Sequence, residues 1–172
     1  MAIKPIIVLP DPILKRISTP VEKVDQQILT LADDMLHTMY SAQGIGLAAV
    51  QIGVLQRVIV VDIGDNQNPD PRIFINPTVI HSSDTRSIYN EGCLSIPNVT
   101  AEVERPAQIK LSYINTKGQK VECDVDGLLA TCIQHEIDHL DGLLFVDHLS
   151  KMKKNMVIKR FNKLQRQNGK VL

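Results

Sequence analysis

An α+β domain is what the sequence predicts: antiparallel strands around a central buried helix, with an amphipathic helix at the C-terminus. Three observations carry this. Apolar residues recur at helical spacing in three separate stretches, and β-branched runs bounded by turn residues lie between them. One of the helical stretches is apolar on several sides, as a helix at the centre of a domain must be.

Pro5, Pro10, Pro12 and Pro20 punctuate the N-terminal segment, which should wrap the surface with at most a short helix after Asp11-Pro12. Asp25 can cap a helix carrying Ile28, Leu31, Met35 and Met39 on one stripe, ending by Gly44. Residues 58–62 and 73–80 are β-branched runs parted by an Asn/Pro/Asp loop and read as strands. Ile109, Leu111 and Tyr113 alternate with polar residues, as do Val121, Cys123 and Val125. With Asn115-Thr116-Lys117-Gly118 between them, they predict a hairpin. Asp124 or Asp126 then caps a helix through about His139, closed by Gly142. Ser150 opens the last helix, with Met152, Met156, Val157, Phe161 and Leu164 assigned to one face. Residues 1–150 are expected to form the body, and 151–172 a helix docked on the same single domain.

The chain has 172 residues, 44% hydrophobic and 22% charged, which excludes disorder and collagen-like repeats. No apolar run approaches the ~20 residues of a membrane span. A formal net charge of zero conceals an asymmetry. Residues 1–150 carry 11 basic against 19 acidic groups, whereas 151–172 carry eight basic and none acidic. Met1-Ala2-Ile3-Lys4 does not begin a signal peptide, so a cytoplasmic location is expected, with Cys93, Cys123 and Cys132 as free thiols.

His135-Glu136-Ile137-Asp138-His139 is H-E-x-x-H inside the apolar helix. Four residues make about one turn, so both imidazoles can share a cation, with Glu136 beside them to act on water. The third ligand is open. The pattern H-x-x-G-x-x-H fails because Phe145 stands where its last histidine belongs, and nothing acidic follows Asp147. Cys93, in Glu91-Gly92-Cys93-Leu94-Ser95, is the leading candidate; Cys123 and Cys132 are rivals, although Cys132 also reads as a small core thiol. Two histidines and a cysteine leave one open position on a tetrahedral metal, as catalytic sites do. Gly44-Ile45-Gly46-Leu47-Ala48-Ala49 fits G-x-G-x-x-A but follows a helix rather than a strand, so a dinucleotide site is rejected. Either Gly44 is a helix cap or the loop exposes backbone to a ligand.

Gly44-Ile45-Gly46-Leu47-Ala48-Ala49-Val50-Gln51, Glu91-Gly92-Cys93-Leu94-Ser95 and Gln134-His135-Glu136-Ile137-Asp138-His139, in this order, closely resemble the three signature motifs of peptide deformylases. The likeness covers nearly the whole chain and is to the bacterial type with a C-terminal helix. It implies a metal-dependent hydrolase that removes the N-formyl group from the initiator formyl-methionine of nascent polypeptides. The implied metal is Fe(II), replaceable by zinc, nickel or cobalt, on Cys93, His135 and His139. A metal-bound hydroxide would attack with Glu136 as general acid/base. By the same resemblance Gln51 and the Leu94 N–H face the formyl oxygen, and Glu91 pairs with Arg105 to brace the cysteine loop. The peptide would lie along Ile45, Gly46 and Gly92, its methionine in a pocket of Ile45, Tyr89, Leu128, Thr131 and Cys132, with His135. Thr100 replaces an arginine that several bacterial relatives carry there, and Tyr89 is bulkier than usual. His37, His81 and His148 read as ordinary surface or helix residues.

The basic terminal helix has two main readings, a solvated face over a docked stripe and contact with a polyanion; anionic lipid ranks third. The resemblance implies the ribosome as the partner. Two competing readings of the whole chain are an ordinary metallopeptidase and an RNA-binding module with a structural metal. Missing third-ligand patterns oppose the first, and the lack of a fourth protein ligand opposes the second.

Overall fold

The computed structural model describes residues 1–169, so Lys170 of the basic end lies outside the described residues. Helix α1 (Gln26–Ser41) starts where the Asp25 carboxylate accepts a bond from the Ile28 N–H at 3.1 Å. Its Ile28, Met35 and Met39 are buried, with Leu31 packed beside them. The helix closes at Ala42, and Gln43 takes the left-handed turn (φ 56°), so Gly44 is not its cap.

Strand β1 (Gly46–Ala48) and a 3-10 turn (Ala49–Ile52) follow, then β2 (Val58–Val61), β3 (Arg72–Ser82), β4 (Arg86–Cys93), β5 (Ile96–Pro106), β6 (Gln108–Ile114) and β7 (Lys120–Asp126). Five strands form one antiparallel sheet in the order β1-β2-β3-β6-β7, while β4 and β5 pair as a separate ribbon. All four residues of β2 are buried because both its faces are covered. Ile59 and Val61 pack with α2 (Gly127–Leu140), and Val58 and Val60 pack with α1. The predicted hairpin is β6–β7, pairing Leu111 with Cys123 and Tyr113 with Val121.

The β4–β5 ribbon has no counterpart in the sequence prediction. Asn98, at φ 66°, breaks the two-residue period of β5, and two inward positions of the ribbon are taken by the charged Glu91 and Arg105. A reader looking for alternating apolar residues finds neither cue.

Helix α2 follows Asp126, which stands at the N-cap without a side-chain bond. Ten of its 14 residues are buried. The chain then turns at Gly142 (φ 76°), where an added Cβ would fall 2.5 Å from the Lys15 carbonyl oxygen. A 3-10 segment (Phe145–His148) follows that turn and packs against β4 and β5. Helix α3 (Lys151–Asn168) is capped by the Ser150 hydroxyl and packs against β5. The N-terminal segment does wrap the surface, with a 3-10 turn at Pro12–Lys15.

The face of α3 differs from the predicted one. Phe161 is buried, with Val157, Ile158 and Leu164 around it, but Met152 and Met156 are 72% and 65% exposed. Nine residues at about 100° each carry Met152 to the opposite side of the helix from Phe161. Among the described residues only Lys154 of the helix's cations has an anionic partner, Asp147.

Phe161→Ala should therefore cost about 3–5 kcal/mol in urea unfolding. Met152→Ser, on the solvent side, should stay within ~0.5 kcal/mol.

Candidate functional site

Cys93 ends β4 at the turn into β5, and this turn meets α2 where His135 and His139 project one turn apart. The metal-ligating atoms of these three residues lie within 4.8 Å of one another. Cys93 Sγ is 3.3 Å from His139 Nε2. Burial raises the cost of a thiolate, but His139 and His135 outweigh it and hold the Cys93 thiol well below its usual range. Of the two rivals, Cys123 lies on β7, packed against the sheet core. Cys132 is buried on α2 outside the three-residue cluster, and burial pushes its thiol up to about 12.

Glu91 does more than brace the cysteine turn. Its Oε1 lies 2.8 Å from His135 Nδ1, and it takes a two-pronged bond from Arg105, at 2.7 and 3.0 Å. An ionised carboxylate only accepts, so His135 Nδ1 donates to it, which leaves Nε2 as the ring nitrogen available to a cation. Arg105 and His135 keep the Glu91 carboxyl below its usual range despite burial. Phe145 stacks on His135, ring centroids 6.1 Å apart and planes 21° from parallel. The residue occupying the failed third-histidine position thus packs on a ligand candidate.

Glu136 is buried, and burial lifts its carboxyl to about 6 even with His135 and His139 nearby. Its Oε2 has no hydrogen-bond partner among the described residues. Gly46 explains itself here, because a Cβ on it would collide with Glu136 Oε1. Gly44 is crowded likewise, 2.7 Å from Leu94 Cδ1 at the position of an added Cβ. A side chain at either position would have to displace Glu136 or Leu94.

Gln51 is buried with its amide oriented at both ends. Oε1 accepts from the Ala48 N–H at 2.9 Å, and Nε2 donates to Ser95 Oγ at 3.0 Å while facing Cys93 Sγ at 3.7 Å. The N–H of Ile7 bonds the Gln51 carbonyl and that of Leu9 bonds the Ser95 carbonyl. The N-terminal wrap therefore ties down both sides of this contact.

These groups open onto a cleft of about 460 Å³. Ile45, Gly46, Gln51, Tyr89, Gly92, Cys93, Leu94, Leu128, Thr131, Cys132, His135 and Glu136 all line it, as does Thr100. Ile45 and Leu128 are largely exposed at its mouth, 46% and 40%. Thr131 Oγ1 and Glu136 Oε2 are buried without partners among the described residues, polar groups left for a ligand or water. A larger cavity, about 770 Å³, lies between α3 and Leu9-Pro10, apart from these groups.

Three residues enter that were not singled out. Ser95, inside the cysteine motif, orients Gln51. Asp138, inside H-E-x-x-H, accepts from Arg105 Nη1 at 2.8 Å. His148 is the correction: far from unpartnered, its Nε2 lies 2.7 Å from Asp138 Oδ2. Ser95 and Asp138 carried a signal by sitting within motifs, whereas His148 reaches the network only through the Gly142 turn. His37, by contrast, bonds the Asp33 carbonyl of its own helix, and His81 is exposed on β3.

A family model described as polypeptide deformylase matches residues 3–155. The peptide deformylase of Rhizobium meliloti (strain 1021) is 56% identical over 170 residues, 98% of each chain. Among solved structures, a peptide deformylase from Legionella pneumophila superposes with a TM-score of 0.90 at 41% identity, covering 98% of both chains. That of Ehrlichia chaffeensis in complex with actinonin gives 0.88 at 40% identity, covering 96% of this chain and 99% of its own.

Releasing His135 from its carboxylate tests the support described above. Glu91→Gln should weaken zinc binding about 10–100-fold, measured by competition with a chromophoric chelator.

Proposed function

The chain belongs to the polypeptide deformylase family, and from that premise we propose that it hydrolyses the N-formyl group of the initiator formyl-methionine on nascent polypeptides, releasing formate. The observation that carries the reading is a buried Cys-His-His cluster with the Glu136 carboxylate beside it, whose Oε2 has no hydrogen-bond partner among the described residues. Cys93, His135 and His139 would hold one divalent cation, and the His135 tautomer imposed by Glu91 suits that role. When bound, such a cation polarises water and carbonyl oxygen and lowers the pKa of water towards ~7. The resemblance makes Fe(II) the native ion, with zinc, nickel or cobalt as substitutes.

The residues then divide the work. Glu136 takes a proton from the attacking water at its carboxylate and returns one to the leaving amine as the formyl C–N bond breaks. A carboxyl raised to about 6 suits both halves of that exchange. The Gln51 amide, held by Ala48 and Ser95, donates to the formyl oxygen as charge builds there, joined by the Leu94 N–H. β1 is an edge strand of the sheet, so the peptide can add beside Ile45 and Gly46, with Gly92 of β4 across the cleft. Its methionine side chain enters the space lined by Tyr89, Leu128, Thr131 and Cys132, with Tyr89 and Thr100 setting size and rim polarity. No helix among the described residues is long and apolar enough to cross a membrane. We place the enzyme in the bacterial cytoplasm, where nascent chains emerge. The exposed cations of α3 support docking on the ribosome through 151–172.

A formyl-Met tripeptide should release formate, whereas its unformylated twin should not be cleaved. Glu136→Gln should abolish turnover, and Gln51→Ala should lower kcat by roughly 10²–10³. Cleavage of an internal peptide bond would instead favour the peptidase. Ribosome pelleting should fall on deleting 151–172 and weaken steeply with salt; equal pelleting of both forms would retire the docking.

A further inference from the structure

We infer that His148 is a positioning residue for the metal centre, acting through Asp138 and Arg105 on the Glu91 carboxylate that orients His135. The inference rests on the metal-centre reading above and extends it by one residue, in a segment that supplies no ligand.

Two carboxylates compete for one guanidinium. Arg105 gives Nε and Nη2 to Glu91 and Nη1 to Asp138 Oδ2. Its side chain is 4% exposed and that of Glu91 6%, so neither can turn to water for other partners. Asp138 Oδ2 takes a second bond, from His148 Nε2 at 2.7 Å. Because the carboxylate only accepts, that ring nitrogen carries a proton. Arg105 Nη1 and His148 Nε2, 3.5 Å apart, thus converge on one oxygen.

The consequence is mechanical. With His148 in place, Asp138 is satisfied and the guanidinium stays seated on Glu91. Without it, Asp138 leans on Arg105 alone and draws the guanidinium from the two-pronged contact, loosening the Glu91 oxygen that fixes His135 Nδ1. The same 3-10 segment presses Phe145 on the His135 ring, so one element restrains that histidine by packing and through the polar chain. His148 itself is one-third exposed, does not line the cleft, and among the described residues its side-chain hydrogen bonds go to Asp138 and Arg105. Its polar route to His135 is therefore the chain of bonds named.

The test compares wild type with His148→Ala and with His148→Gln, whose amide N–H reaches about as far as Nε2. Zinc transfer to a chromophoric chelator, urea unfolding of the metal-free chain, and kcat and KM on a formyl-Met tripeptide are measured for each. Expected for His148→Ala is about tenfold faster zinc release, a lower kcat, an unchanged KM and an unchanged urea midpoint, with His148→Gln restored to near wild type. Wild-type zinc release in His148→Ala would overturn the proposal. So would a loss that His148→Gln does not restore, or one accompanied by a lowered urea midpoint, since either means packing alone. A wild-type chain that retains no zinc would overturn the metal-centre reading itself and this proposal with it.

Discussion

The Arg105–Glu91 pair, buried between the ribbon and α2, is the contact on which the centre depends. Glu91 and Cys93 belong to one strand, and Arg105 to its partner. Their bonds reach Asp138 and His135 on the helix, so the ribbon and the helix are locked in a single relative position. Taking charges out of water is costly, and such a pair holds only where each lone pair and proton finds a partner. Here the donors sit on three side chains, Arg105, His135 and His148. The electrostatic requirement of the core and the orientation of the metal-side histidine are consequently one constraint.

Around that contact the apolar cores act as rigid backing. One cluster joins α2 to the sheet, a second joins α1 to its other face, and a third joins β5 to Phe145 and α3. β1 sits between the first two as an edge strand, with Gly46 so close to Glu136 that a side chain there would displace the carboxylate. The cleft is thus bounded by backbone on the β1 side and by the cysteine turn on the other. This suits an extended chain more than a compact small molecule. Membership of the polypeptide deformylase family gives the arrangement its chemical sense.

Charge is organised on a longer scale. Acidic groups are confined to the first 147 residues, while the last helix presents cations to solvent over a stripe centred on Phe161. Docking of that stripe leaves the cationic face free. The cationic face of α3 therefore lies apart from the cleft, while its buried stripe shares a core cluster with Phe145 and Cys93.

By itself the sequence determined the helices, the β6–β7 hairpin and the pair of histidines with their glutamate, because these depend on periods of two and 3.6 and on a spacing of four. Gln51 and Leu94 were legible only through resemblance, and Cys93 stood as the leading one of three cysteine candidates, since no local period links residues over 40 positions apart. Tertiary structure alone decided the β4–β5 ribbon, whose inward charges and left-handed Asn98 erase the alternation a strand should show. It also decided which face of α3 is buried, a matter of angle around the helix that apolar counting misjudged at Met152 and Met156. Ser95 and His148 entered the same way. A hydrogen bond between distant segments has no sequence period, and its partners are chosen when the Gly142 turn and the N-terminal wrap bring them within 3 Å.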